Sequence, residues 1–199
     1  KEAAGTDLPF QSLVEQSRKE HNEKNLPQRR DRYGQLILAL RPFLQKRDYT
    51  GAADRIKNTL LRHPEYKGHK PMLDREAARL RETAEMYRQI VDAVKGLPEA
   101  TPIKVELKNG KTMEGKFRGV KGDDTLWLGI NGARLTDVTI ESLIVAGALQ
   151  GLSLPMVADL HLYEEDFAGA ALAMAEVLAE DVDLSQEFFV RLQLARNVL

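Results

Sequence analysis

The chain contains no cysteine. Disulfide bridges, thiolate nucleophiles and zinc or iron–sulfur sites built on cysteine are therefore excluded. No stretch approaches 18 consecutive apolar residues, so the sequence predicts no membrane-spanning helix. What remains is the composition of an ordinary globular protein, with 199 residues, 43% hydrophobic and 30% charged. That is enough chain for one or two domains with a real core.

Catalytic signatures are missing as well. There is no Gly-x-Ser-x-Gly elbow, no phosphate-binding glycine motif and no protein-kinase signature. The pair Glu164-Glu165 is predicted at a turn, where a carboxyl group lacks the burial that raises the pKa of a catalytic acid. His161 lies one helical turn from this pair, which could hold a metal ion. Because only two or three ligands are in view, we favour the interpretation that His161 is an edge residue beside a helix core. We therefore expect no enzyme, no cofactor, and no catalytic or metal-binding residues.

Charge is unevenly distributed along the chain, although the net charge is -1. Residues 1–100 hold 20 Lys and Arg against 15 Asp and Glu, residues 101–150 hold 7 against 6, and residues 151–199 hold 2 against 9. Such asymmetry can mark oppositely charged surfaces for partners. We favour the plainer interpretation that the two ends attract each other or that the helices have solvated faces.

Hydrophobic periodicity divides the chain into three zones. Residues 1–100 are predicted to hold a helical hairpin and a long helix, residues 101–150 a small sheet followed by a helix, and residues 151–199 a further helical hairpin with a final helix. The long helix carries apolar residues in alternating steps of four and three, which is a heptad seam. We favour packing of this seam within the chain over a coiled-coil dimer. The seam consists of Leu73, Ala77, Leu80, Ala84, Tyr87, Val91 and Val94.

The middle zone changes to a period of two. Ile103, Val105 and Leu107 alternate with charged residues, and Asn109-Gly110 is a strong hairpin signal. The pattern places Leu126, Leu128 and Ile130 on one face of a third strand and predicts a second hairpin turn at Asn131-Gly132. Thr139 is a plausible N-cap for a helix over residues 140–150, although the β-branched Val138 and Ile140 leave a fifth strand open. The fold class is therefore α+β, with helical hairpins around a glycine-rich, four- to five-stranded antiparallel, barrel-like sheet.

The two helical zones resemble tetratricopeptide repeats. In that family an aromatic residue closes the turn between two helices, and a small residue, two apolar residues and a proline follow at fixed steps. The first copy is Tyr49, Ala52, Ile56, Leu60 and Pro64. The second copy begins 118 residues later with Phe167, Ala170, Met174 and Leu178, and has Val182 in place of the proline. The family repeats every 34 residues, so the resemblance implies two separate hairpins rather than a continuous superhelix.

The segment VELKNGKTMEGKFRGV resembles the first motif of Sm-like small barrels, in which a hydrophobic strand, an Asn-Gly turn and a glycine-broken strand follow one another. The second motif of that family needs an arginine that Ile144-Val145-Ala146-Gly147 lacks, so its RNA-stacking positions are not carried over. The order of hairpin, long helix, small barrel and closing hairpin looks like regions outside the catalytic domain of large bacterial signalling proteins, including some serine/threonine protein kinases.

These observations favour a non-catalytic protein-interaction or scaffolding region that binds a protein or peptide partner. Trp127 is the residue that best fits an anchor, since it falls on the face opposite Leu126 and Leu128; the alternative, which we favour, is that it packs the sheet onto a helix. Lys116 and Arg118 complete the candidate interaction residues. The alternative function is binding of single-stranded nucleic acid by the basic strands near the tryptophan, although the pI near 6.5 lies below the range typical of such domains.

Overall fold

A computed structural model describes residues 35, 36, 38–122, 124–177, 188 and 191–193 of the chain. These residues form a mixed α+β structure with a four-stranded antiparallel sheet, which confirms the predicted fold class at this level. Residues 1–34, Leu178, Val182 and most of the predicted final helix lie outside the described residues.

The first zone forms a helical hairpin followed by a long helix. Helix α1 covers residues 38–44, and α2 spans Tyr49–Arg62. Asp48 caps α2, because its side chain accepts a hydrogen bond from the Gly51 N–H at 2.8 Å. A 3₁₀ turn at Pro64–His69 leads into α3, which spans Lys70–Lys95. The described part of this zone is helical, as the periodicity predicts.

The heptad seam of α3 faces the interior of its own chain. Leu73, Leu80 and Val94 are fully or almost fully buried. The face packs mainly against α2, with smaller contacts to the strands and to the helices that follow the sheet. The seam therefore packs within its own chain, which is the arrangement that we favoured over a coiled-coil dimer.

The sheet is a simple meander in the order β1-β2-β3-β4. Strand β1 spans Pro102–Glu106, β2 Thr112–Lys121, β3 Thr125–Leu128 and β4 Asn131–Arg134. The predicted alternation holds for the first three strands. Their inner face is buried and consists of Val105, Met113, Phe117, Leu126 and Leu128.

The second hairpin turn differs from the prediction. Gly129 and Ile130 form the turn, whereas Asn131 and Gly132 belong to β4. Gly129 has a φ of 61°, and a positive φ at the first central position is what a type II′ turn requires. Ile130 is therefore 92% exposed at the turn rather than on the inner face.

After β4 the chain returns to the opposite end of the sheet. A 3₁₀ turn at Leu135–Asp137 precedes Val138, which forms a single antiparallel bridge with Leu107 just beyond β1. The predicted optional fifth strand is thus reduced to one residue pair. Helix α4 then spans Ile140–Ala146, and Thr139 caps it as predicted.

The last zone supplies α5, which spans Leu154–Tyr163, and α6, which spans Phe167–Val177. One buried apolar cluster runs through all three zones, with Leu40, Val94, Leu126, Leu143 and Leu160 among its members. A second cluster lies mainly between α5 and α6. Within the described ranges, no helix has both the length and the apolar character that crossing a membrane requires.

Candidate functional site

Two turns of the molecule match each other in their geometry. Asp48 and Asp166 each begin a helix and accept the backbone N–H of a glycine three residues later, at 2.8 Å from Gly51 and 3.0 Å from Gly169. Each aspartate follows a residue with a left-handed backbone, namely Arg47 in the first turn and Glu165 in the second. The 118-residue offset that aligns Tyr49 with Phe167 in the sequence therefore also aligns the two turns.

Arg47 projects from the first turn into the structure and contacts both other zones. Its Nε and one terminal nitrogen donate to the two carboxylate oxygens of Glu164 at 2.7 and 2.9 Å. The guanidinium also donates to the backbone carbonyls of Leu135 and Val138, each at 2.7 Å. The Arg47 side chain is completely buried, and its terminal carbon lies 5.3 Å from the ring centroid of Tyr87. One side chain thus joins the α1–α2 turn, the segment after β4 and the end of α5.

Glu164 is the matching anion, and it has further partners. Lys108, next to the Asn109-Gly110 turn, forms an ion pair with its carboxylate, and the Tyr49 hydroxyl donates to the same carboxylate at 3.2 Å. Burial on its own would raise the pKa of Glu164, but hydrogen bonding and charge from Arg47, and then from Lys108, hold that pKa below its ordinary value. Burial on its own would lower the pKa of Arg47, but hydrogen bonding and charge from Glu164 raise that pKa above its ordinary value. Both side chains are therefore charged at neutral pH.

A second arginine–glutamate pair lies beside the first and is much more open. Arg41 donates to both oxygens of Glu165 at 2.8 and 2.9 Å. The side chains are 40% and 30% exposed, against 0% and 6% for the Arg47–Glu164 pair. Both arginines belong to the basic first zone and both glutamates to the acidic last zone, so these two zones attract each other, which is one of the two explanations that we favoured.

A cleft lies where the end of the sheet meets the α5–α6 turn. It consists of two adjoining cavities of about 260 and 280 Å³ that share Lys108, Glu164 and Glu165 as lining residues. The shared charged groups are already paired with one another or with Arg41 and Arg47. The three charged residues that the two cavities share are therefore already satisfied.

His161 lies at one end of this cleft and is tied at both ring nitrogens. Its Nδ1 is 2.9 Å from Asp166 and its Nε2 is 2.9 Å from Glu141. The sequence suggested Glu164 and Glu165 as its carboxylate neighbours, and the structure pairs it with these two others instead. The three groups could together offer ligand atoms to a metal ion. However, the carboxylates lie on opposite sides of the ring, so an ion at either nitrogen would have only one of them in place. The arrangement joins α4 to the α5–α6 turn.

A buried charged cluster joins α3 to the last zone. Arg191 donates to Asp159 at 2.6 Å and to Glu76 at 3.1 Å, and the Tyr163 hydroxyl donates to Glu76 at 2.8 Å. Burial raises the pKa of Asp159, against the opposing charge of Arg191, and burial also raises the pKa of Tyr163 well above its ordinary value. The phenol therefore remains a hydrogen-bond donor at neutral pH.

The outer face of the sheet differs from the cleft. Trp127, the only tryptophan, lies on this face as predicted and is 38% exposed. It is paired with Gly132 on β4 and with Gly119 on β2. A Cβ at Gly132 would come within 3.2 Å of two ring atoms of the indole, so the ring lies across β4 where a side chain is missing. Trp127 is therefore partly exposed and lies against Gly132, and whether it also packs the sheet onto a helix stays a prediction.

Basic residues surround this tryptophan. A β-bulge between Phe117 and Gly119 leaves Arg118 next to the glycine that faces Trp127, and Arg118 forms an exposed ion pair with Glu99 at 3.2 Å. Lys116 lies on the same outward-facing side of β2. In the described part of the chain, neither Lys116 nor Arg134 forms an ion pair. The structure thus brings the three predicted interaction residues onto one face.

Sequence reasoning missed the network around Arg47. Its partner Glu164 lies 117 positions away, and no local pattern connects two charges at that distance. One signal was present: extending the 118-residue offset back from Tyr49 and Phe167 aligns Arg47 with Glu165. That alignment would have placed an arginine and a glutamate in equivalent turns of opposite charge.

Comparison with protein-family models, with curated proteins and with solved structures finds no match to this chain.

Proposed function

We propose that this chain is a non-catalytic protein-interaction or scaffolding region of a larger bacterial signalling protein, such as a serine/threonine protein kinase. In this proposal the two matched hairpins act as tetratricopeptide-like units and the meander as an Sm-like, barrel-like module between them. The bridge between Leu107 and Val138 brings the segment after β4 back to β1 and supports the barrel-like description.

The observation that carries the proposal is the exposed face around Trp127. Tryptophan and arginine are residue types that dominate binding energy at protein interfaces. Here a partly exposed Trp127 and Arg118 lie on the same side of the sheet, and Lys116 adds a further cation there. By contrast, the charged groups of the cleft hold the chain itself together. Within the described part of the chain, the outer face is therefore a surface that remains available for a partner protein or peptide.

Variants of the outer face test this role. The wild-type chain, Trp127→Ala and the double variant Lys116→Glu/Arg118→Glu would each be immobilised and used to capture proteins from the source cells. Arg55→Glu/Lys57→Glu is the matched control for the double variant, because it makes the same charge change at two exposed positions of α2. We expect a protein bound by the wild type to be kept by Arg55→Glu/Lys57→Glu and lost by both outer-face variants. The same set of proteins on all four chains would contradict the proposal.

An immunoblot of fractionated source cells tests the second half of the proposal. An antibody raised against this chain would detect a band much larger than 22.4 kDa if the chain is a region of a larger protein. The size and the membrane partition of that band would then describe its parent. A band near 22.4 kDa would contradict this part and leave the interaction role to be tested alone.

Binding of single-stranded nucleic acid is the second candidate. It is favoured by Lys116 and Arg134, which make no ion pair among the described residues and share the sheet face that bears the tryptophan. The test is a titration with single-stranded RNA at two salt concentrations. An affinity that falls steeply with salt would support this function, and no binding at low salt would exclude it.

A further inference from the structure

The outer edge of β4 has no neighbour in the described part of the structure. β4 is the last strand in the sheet order, and its only strand partner is β3. Asn131, Gly132 and Arg134 are exposed. An edge of this kind presents backbone N–H and C=O groups that can pair with another extended chain. At the other end of the sheet, β1 is partly covered by the bridge to Val138.

The hydrogen-bond pattern identifies which backbone groups point outward. The Leu135 N–H donates to the Asp124 carbonyl at 2.8 Å. In an antiparallel pair, hydrogen-bonded and non-bonded residue pairs alternate, so the register makes Leu126 and Ala133 a bonded pair. Gly132 and Arg134 then belong to the non-bonded pairs. Their N–H and C=O groups consequently face the open edge rather than β3.

Side chains on the outer face offer a contact for the residue that would lie opposite Gly132. Because Gly132 has no side chain, the indole of Trp127 lies across β4 at this position. A chain added to the edge would meet the indole at this position. Two residues further along the same face, it would meet the cation of Arg134. Lys121 lies in the same cross-strand row as Arg134, so two cations share this row, and the neighbouring Asp124 is paired with Lys95.

We propose that β4 binds an extended acidic peptide as an added strand, with an apolar residue against Trp127 and a carboxylate against Arg134. This proposal rests on the proposed function and specifies its partner. Backbone bonds to Gly132 and Arg134 would supply the general affinity of strand addition, and the two side-chain contacts would supply the selectivity.

Position 134 allows the backbone bond to be tested separately from the charge. Arg134 has a φ of -64°, which is the value that proline imposes. Its N–H faces the open edge, so Arg134→Pro removes an outward donor without removing a bond to β3. Arg134→Ala removes the same charge and keeps the donor. The difference between the two variants therefore measures the backbone bond alone.

The probe is a synthetic acetylated and amidated peptide in which Val-Thr-Glu-Thr is repeated, so that valine and glutamate share one face. Binding is read from the fluorescence of Trp127, the only tryptophan. We expect the emission to shift to shorter wavelength, with a dissociation constant below about 1 mM. Arg134→Ala should weaken binding about threefold, and Arg134→Pro about fivefold further, as the loss of one hydrogen bond predicts. A Val-Thr-Lys-Thr repeat should bind more weakly than the acidic probe.

Several results would overturn the proposal. Equal affinities of Arg134→Ala and Arg134→Pro would show that the edge is not used, and equal affinities of the acidic and basic probes would remove the charge argument. Binding of oligouridine in place of the peptide would make the face a nucleic-acid surface. A dimer that Arg134→Pro dissociates would make a second copy of this chain the occupant.

Two further readouts separate the alternatives. If Arg134→Pro does not fold, as judged by circular dichroism, probes N-methylated on one or the other edge replace it, and only methylation of the edge that faces β4 should abolish binding. If Arg134→Pro keeps the proteins that Trp127→Ala loses, strand addition fails while the interaction function stands. If Trp127→Ala loses none of them, the interaction function itself fails.

Discussion

The cleft and the outer face of the small sheet use positive charge in opposite ways. In the cleft, Arg47 and Glu164 are buried, and both Arg47 and the more exposed Lys108 are paired with Glu164. On the outer side, Trp127, Lys116 and Arg134 are exposed, and the two cations make no ion pair among the described residues. Charge therefore holds the chain together in one place and remains available in the other. The difference is decided by what packs on each side, not by the residue types.

The largest expected effect comes from replacing Glu164 and Glu165 one at a time by glutamine. Glu164→Gln leaves the buried Arg47 without a counter-charge, which should cost about 3–5 kcal/mol of unfolding free energy. Glu165→Gln removes the neighbouring, half-exposed pair and should cost less than about 1 kcal/mol. Urea denaturation of the two variants checks this contrast, and equal losses would show that burial does not separate the two pairs.

Acidification should remove part of the same stabilisation. The pKa of Glu164 is lower in the folded chain than its ordinary value of 4.5, so below that value the unfolded state binds more protons and stability falls as the pH falls. The contribution is fully present above pH 4.5 and is lost as the pH falls through the folded-state pKa. Comparison with Glu164→Gln isolates this group from Asp159, whose shift has the opposite sign. If the difference in unfolding free energy between the wild type and Glu164→Gln does not become smaller in acid, the lowered pKa of Glu164 is not the source of this stabilisation.

The smallest expected effect is on the outer face. Trp127→Ala should lower the unfolding free energy by less than the replacement of a fully buried neighbour, because the Trp127 side chain is partly exposed and lies across Gly132, which has no side chain. The next residue, Leu128, is 1% exposed, and Leu128→Ala should cost about 2–5 kcal/mol. Thermal unfolding followed by circular dichroism compares them. If Trp127→Ala unfolds the protein, Trp127 is a packing residue and the anchor role has no basis.

Much of the fold could be predicted from local pattern. The heptad seam of α3, the cap Thr139 and the alternation in β1 depend on neighbours within a few positions, and each was found where expected. The second hairpin was misplaced because Asn131-Gly132 and Gly129 are both suitable turn residues. Either choice keeps Leu126 and Leu128 on the inner face, so the alternation could not distinguish them.

The candidate site was predictable only in part, for a different reason. Trp127, Lys116 and Arg118 lie on neighbouring strands of one hairpin, so their common face follows from period two. The exposure of that face does not follow from the sequence pattern, because it depends on whether a helix covers the face. The cleft joins groups about a hundred positions apart, and only the folded chain shows which distant turn approaches Arg47.

The bonds made by Arg47 also have a consequence for the order of folding. The contacts between α2 and α3 join nearby parts of the chain, whereas Arg47 reaches partners 88 to 117 positions away. Distant contacts are costly to form early, so we expect the α2–α3 pair to assemble before the Arg47–Glu164 bonds close. A contact absent from the transition state governs unfolding rather than folding. The lifetime of the native chain would then be set by this one buried pair, while the speed of folding would be set by the helices.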